Sequence, residues 1–204
     1  SGLAGSQLNF MSNLSVDCAS GFVGNSFSNC DKGVVSVATQ TTVGNQTMNE
    51  CMLGIMCHSP FKRTYALNNN HITGAHIGIE LFGRQLSSEI LDNVITLDKV
   101  VLSQVGPVST TPPVGIKYQR GEMGWMPVPN FLINNNTVTL QTMTGAGIQN
   151  SFGDIQTQTK GNTIHFPTNQ TGSSVGSKLR QLIGVWANRC TDADFDDNNT
   201  HGFS

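Results

Sequence analysis

Five glycine-led segments place unlike chemistry at one shared position. They read Gly54-Ile55-Met56-Cys57, Gly78-Ile79-Glu80-Leu81, Gly115-Ile116-Lys117-Tyr118, Gly147-Ile148-Gln149-Asn150 and Gly184-Val185-Trp186-Ala187. In an extended strand, successive side chains point to opposite faces. The third residue of each segment therefore falls on the outer face, giving a stripe of Met56, Glu80, Lys117, Gln149 and Trp186. A sixth copy, Gly33-Val34-Val35-Ser36-Val37, offers either Val35 or Ser36 at that place. A carboxylate, an ammonium, an amide and an indole on one stripe suit a sugar chain. The apolar face of a sugar stacks on an indole, and its hydroxyls take directional and charge-assisted hydrogen bonds. The alternative is a solvated face whose residues vary freely, with Glu80 and Lys117 forming a cross-strand ion pair of small energetic worth.

Segments outside the pattern supply the other candidate groups. Residues 96–114 and 119–131 flank the Lys117 segment, and residues 165–183 form a third insertion. The second holds Arg120, Glu122 and Trp125, with Pro127 and Pro129 stiffening it. Long loops on a rigid scaffold are frequent carriers of function; the alternative for Trp125 is packing of its loop onto the scaffold. Glycoside hydrolysis needs two carboxyl groups roughly 5–10 Å apart. Glu80 with Glu122, or Glu80 with Asp154, would meet that when one or two turns apart on one face. β-Elimination from a uronate needs a base and a charge neutraliser, which Lys117 and Arg120 would provide. The candidate catalytic set is thus Glu80, Lys117, Arg120 and Glu122. The candidate substrate-binding set is Gln149, Trp186, Trp125 and Asp154.

The elements that hold these residues follow from an internal repeat. Asn recurs shortly before an apolar residue at Asn25, Asn45, Asn70, Asn93, Asn136, Asn162 and Asn199, at intervals of 20, 25, 23, 43, 26 and 37 residues. The long intervals are single units carrying insertions. Strands this short cannot bury a face alone, so stacking them turn on turn at about 4.8 Å is the stable solution. Inward positions Ile72, Ile79, Leu81, Ile116, Val138, Ile148, Ile164 and Val185 would then form one continuous core. Asn would form a ladder at the turns, Gly the positive-φ corners, and Thr the outward strand positions. The predicted fold is all-β, a right-handed parallel β-helix of about seven turns in one domain over residues 1–204. The one helix-like stretch, 177–183, lies inside an insertion.

The unit Asn-Thr-Ile … Gly-Ile-x-Leu, in turns of 20–26 residues, resembles the right-handed parallel β-helix repeat of the pectin-lyase-like superfamily. Bacteriophage tailspikes and capsule depolymerases are among its members. The resemblance spans residues 8–204. It implies binding, with or without cleavage, of a bacterial surface or extracellular polysaccharide by a tailspike-like or secreted protein, and a place outside the cell or on a virion. The superfamily also holds adhesins and inert shafts, so a non-catalytic structural shaft is the competing reading. The alginate-epimerase signature Asp-Pro-His-Asp is absent. Asp196-Asp197 and His201-Gly202 echo polygalacturonase motifs but share one turn.

Composition excludes other classes. Only 12% of residues are charged, about half the usual share of roughly 25%, while 22 Gly, 20 Asn, 20 Thr and 18 Ser dominate. Eleven Lys and Arg against thirteen Asp and Glu offer no basic stripe for nucleic acid. No run approaches the ~18–20 apolar residues of a membrane-spanning helix. Cys18, Cys30, Cys51, Cys57 and Cys190 contain no C-x-x-C pair and are expected to be reduced, buried small hydrophobes. The acidic run 192–197 opens like a calcium loop, but Asp197 takes the glycine place and Phe203 the place of the bidentate Glu, so an acidic turn is favoured. No pattern implies a resident metal or cofactor. The five sequons, at Asn13, Asn45, Asn135, Asn169 and Asn198, are expected from the Asn and Thr excess. Because open terminal turns of a solenoid expose core and strand edges, the chain is expected to be capped by the remainder of a longer polypeptide or by association as a homotrimer.

Overall fold

The computed structural model describes residues 11–16, 19–85, 87–99, 101–102, 110–120, 131–142, 144–151, 157–167, 182–190 and 193–202. Each turn of chain contributes a strand to each of three parallel sheets, in a fixed rotation. The first sheet stacks Met11–Val16, Lys32–Val37, Leu53–Arg63, Ile77–Gln85, Val114–Arg120, Gly145–Ser151 and Leu182–Asn188. The second stacks Ala19–Val23, Gln40–Gly44, Tyr65–Asn68, Glu89–Leu91, Phe131–Asn134 and Thr157–Lys160. The third runs Ser26–Ser28, Thr47–Asn49, His71–Ala75, Val94–Leu97, Thr137–Leu140, Thr163–His165 and Asn199–His201. The seventh turn closes through one parallel bridge, Gln158 to Asp194. The architecture is the parallel β-helix expected from the repeat, with seven coils and, among the described residues, no helix. Leu182 and Ile183, read as helix-like, begin a strand, and residues 177–181 lie outside the described residues. Within the insertion before Lys117, Val101–Leu102 and Thr110–Thr111 pair antiparallel.

The core is a set of columns running along the helix axis. Val34, Ile55, Ile79, Ile116 and Ile148 stack inward from the first sheet, and Met48, Ile72, Ile95, Val138 and Ile164 from the third. All ten are fully buried. Of the predicted core residues, only Val185, in the last coil, is partly buried.

Three details of the repeat differ from expectation. The ladder is real, but its rungs are Asn25, Gln46, Asn70, Asn93, Asn136, Asn162 and Asn198, because strand register places these residues directly before the third-sheet strands. Asn45 instead holds the left-handed turn position one residue earlier, and Asn199 begins a strand. Asn70, Asn93, Asn136 and Asn162 each donate both backbone N–H and side-chain Nδ2 to the Oδ1 of the next rung, at 2.8–3.2 Å. The other Nδ2 proton reaches a second-sheet carbonyl, as from Asn93 to Leu67 O at 2.8 Å. The Asn rungs thereby pair their buried polar groups with one another and with the second sheet, whereas the Gln46 Oε1 is buried without a partner.

The second difference concerns glycine. The positive-φ corner is held by Gly24, Asn45, Asn69, Asp92, Asn135, Gly161 and Asp197, with φ between 54° and 70°. Residues with short polar side chains reach that region at small cost. The repeat glycines have another role: a Cβ on Gly115 would stand 2.5 Å from both Gly147 O and Val138 Cγ1. They permit close approach of the first sheet to the third. The third difference is that Thr also points inward. Thr41, Thr157 and Thr159 are buried on the second sheet, and Thr41, Thr39 and Ser36 join hydroxyls at 2.5–2.6 Å.

Candidate functional site

Register makes the outward stripe of the first sheet continuous. Val35, Met56, Glu80, Lys117, Gln149 and Trp186 lie opposite one another on successive strands. The ambiguity in the first copy resolves to Val35, since Ser36 turns inward beside Thr39. At about 4.8 Å per strand, Glu80 and Trp186 are three steps, or roughly 14 Å, apart. Exposure rises along the stripe: Val35 is 2% exposed and Trp186 42%. Met56, Glu80, Lys117 and Gln149 between them are half-buried.

Glu80 is the electrostatic centre. Lys117 Nζ donates to its Oε1 at 2.9 Å, and His58 Nε2 stands 3.6 Å from Oε2. The second separation is too long for a hydrogen bond. The neighbouring His58 imidazole and Lys117 ammonium hold the carboxyl at about 2, below its ordinary 4.5, against the burial that would raise it. With the Glu80 side chain 16% exposed, the pair is far better shielded than a typical surface bridge. At neutral pH Glu80 is thus an anion with lone pairs for hydrogen bonds, too acidic to deliver a proton and a weaker base than an ordinary carboxylate.

A second outward column runs beside the first: Val37, His58, Phe82, Gln119, Ser151 and Asn188. Its His58 and Phe82 were missed by sequence reasoning, which stopped at the first outward residue. The available signal was their spacing, two residues beyond Met56 and Glu80. Their rings meet at 5.4 Å, tilted by 58°. Phe82 is 40% exposed, one of four large hydrophobic side chains exposed among the described residues; Trp186 is another. His58 Nε2 is buried and lacks a hydrogen-bond partner.

The structure thus brings Glu80, Lys117, Gln149 and Trp186 onto one stripe. Arg120 ends the Lys117 strand, paired with Gly83; its side chain, and Glu122, Trp125 and Asp154, lie outside the described residues. Within the acidic run near the C-terminus, Lys160 contacts Asp194 and lies 3.7 Å from Asp196. Among the described residues, no group of three or more metal-ligating side chains converges. His165 and His201 stack at 5.3 Å on the third sheet, away from the stripe. No protein-family model, curated protein or solved structure matches the chain.

Proposed function

We propose that the chain binds a bacterial surface or extracellular polysaccharide along the outward face of its first sheet, between Phe82 and Trp186. The observation that carries this reading is two exposed aromatic rings on one parallel, in-register sheet, flanking the His58–Glu80–Lys117 cluster and Gln149. Sugar faces stack on the rings, while Glu80 accepts and Lys117 and Gln149 donate to hydroxyls. A parallel β-helix supplies the straight, rigid surface that an extended glycan needs. The repeat's likeness to the pectin-lyase-like superfamily supports the same reading, together with a location outside the cell or on a virion.

Cleavage requires more than Glu80. A hydrolase would pair it with Glu122 or Asp154, and a lyase would use Lys117 and Arg120. The Glu80–Lys117 contact also supports a second reading, a non-catalytic adhesive or structural shaft, because the two charges satisfy one another. Titration with capsular and lipopolysaccharide fragments tests the groove. Trp186→Ala and Lys117→Ala should each weaken binding about tenfold, the effect of ~1.4 kcal/mol. Unchanged affinity in both variants contradicts the assignment. Release of reducing ends or unsaturated uronates separates enzyme from shaft.

A further inference from the structure

We infer that Cys30 and Cys51 form a disulfide-competent thiol pair, clipping two adjacent coils together on exposure to a small-molecule disulfide. The argument is independent of the glycan reading. Ser28 and Asn49 are register partners on adjacent third-sheet strands. Each is followed by one left-handed residue, Asn29 at φ 55° and Glu50 at φ 56°. The next residues, Cys30 and Cys51, thus turn the same corner one strand apart. Backbone pairing continues through that corner, since Met52 N–H donates to Cys30 O at 3.0 Å. Both thiols adopt the same local pose, donating to the carbonyl two residues back: Cys30 to Ser28 at 3.4 Å and Cys51 to Asn49 at 3.6 Å. A strand spacing of about 4.8 Å lies within the roughly 4.4–6.8 Å Cα separation that a disulfide spans.

The environment sets the order of steps. Cys51 is fully buried and Cys30 only partly. Burial pushes the Cys51 thiol up, and the facing Cys30 thiol adds to the rise. The Cys30 thiolate therefore attacks one sulfur of oxidised glutathione, forming a mixed disulfide and expelling one glutathione thiolate. The Cys51 thiolate then attacks the Cys30 sulfur and expels the second. The chain loses two protons and two electrons, and one glutathione disulfide is reduced to two thiols. Among the remaining described cysteines, Cys57 is sealed inside the first sheet and Cys190 donates to Asn150 in a distant coil.

The test treats the full chain with oxidised glutathione at mildly alkaline pH and weighs the product. The expected result is loss of two hydrogens with no glutathione retained. Met48 and Met52 bracket Cys51, so cyanogen bromide releases it on a fragment lacking Cys57, and that fragment should be joined to the one holding Cys30. Cys30→Ala and Cys51→Ala should each abolish the loss, while Cys18→Ala and Cys190→Ala should preserve it. If a cysteine variant fails to fold, the fragment map of the Cys18→Ala chain decides alone. An unchanged mass, a glutathione adduct retained on Cys30, or linkage to any other cysteine overturns the inference.

Discussion

Glu80 combines a role in the fold with a place on the candidate surface. Its carboxyl is held at about 2 in the folded chain against an ordinary 4.5. The native state thus binds fewer protons than the unfolded state in that interval. The resulting stability is complete above about pH 4.5 and is lost as pH falls toward 2. A shift of this size is worth at most roughly 3 kcal/mol. Urea unfolding at neutral pH and at about pH 3 should show wild type losing more stability on acidification than Glu80→Gln. Equal losses would contradict the assigned coupling. Replacing Lys117 with Met removes one of the two groups that lower the Glu80 carboxyl, so the Glu80 titration followed by NMR should move up toward the ordinary range.

At the scale of elements, the repeat has two separately testable parts. Gly115→Ala forces a Cβ to within 2.5 Å of Gly147 O, and overpacking of this kind costs about 1–3 kcal/mol. Gly21→Ala meets nothing within 4 Å and should leave the denaturation midpoint nearly unchanged. Asn93→Ala strands the buried N–H groups of Asn70 that bond to it, at about 1–3 kcal/mol for each unsatisfied group. A loss below about 1 kcal/mol in either Gly115→Ala or Asn93→Ala would contradict these roles. The same elements show what was legible beforehand. Inward Ile72, Ile79 and Ile148 and the outward stripe followed from period-two alternation, which register preserves from coil to coil. The Gln46 rung was hidden because Asn45 beside it carries the expected residue type, although at the turn position. The glycine role was misassigned because spacing marks where Gly is needed, while the neighbouring Val138 that excludes a Cβ comes from another sheet. His58 came within reach of Glu80 only through register between coils.

For the molecule as a whole, a rigid stack of coils converts one residue position per turn into a line. From Glu80 to Trp186 that line spans three strand steps, or roughly 14 Å, with the His58–Glu80–Lys117 cluster at one end and an exposed indole at the other. The third sheet presents a different surface, with Thr47, Thr137 and Thr163 outward along its length. Binding should therefore be sensitive to the first sheet alone, and Val94→Ala, on the exposed third sheet, should leave affinity unchanged. The most direct measurement uses a Trp125→Phe chain, in which Trp186 is the sole indole. Titrating it with a polysaccharide that binds by calorimetry should give a saturable change in Trp186 fluorescence at the same dissociation constant. Heat of binding without any change in that indole signal would contradict the first-sheet groove.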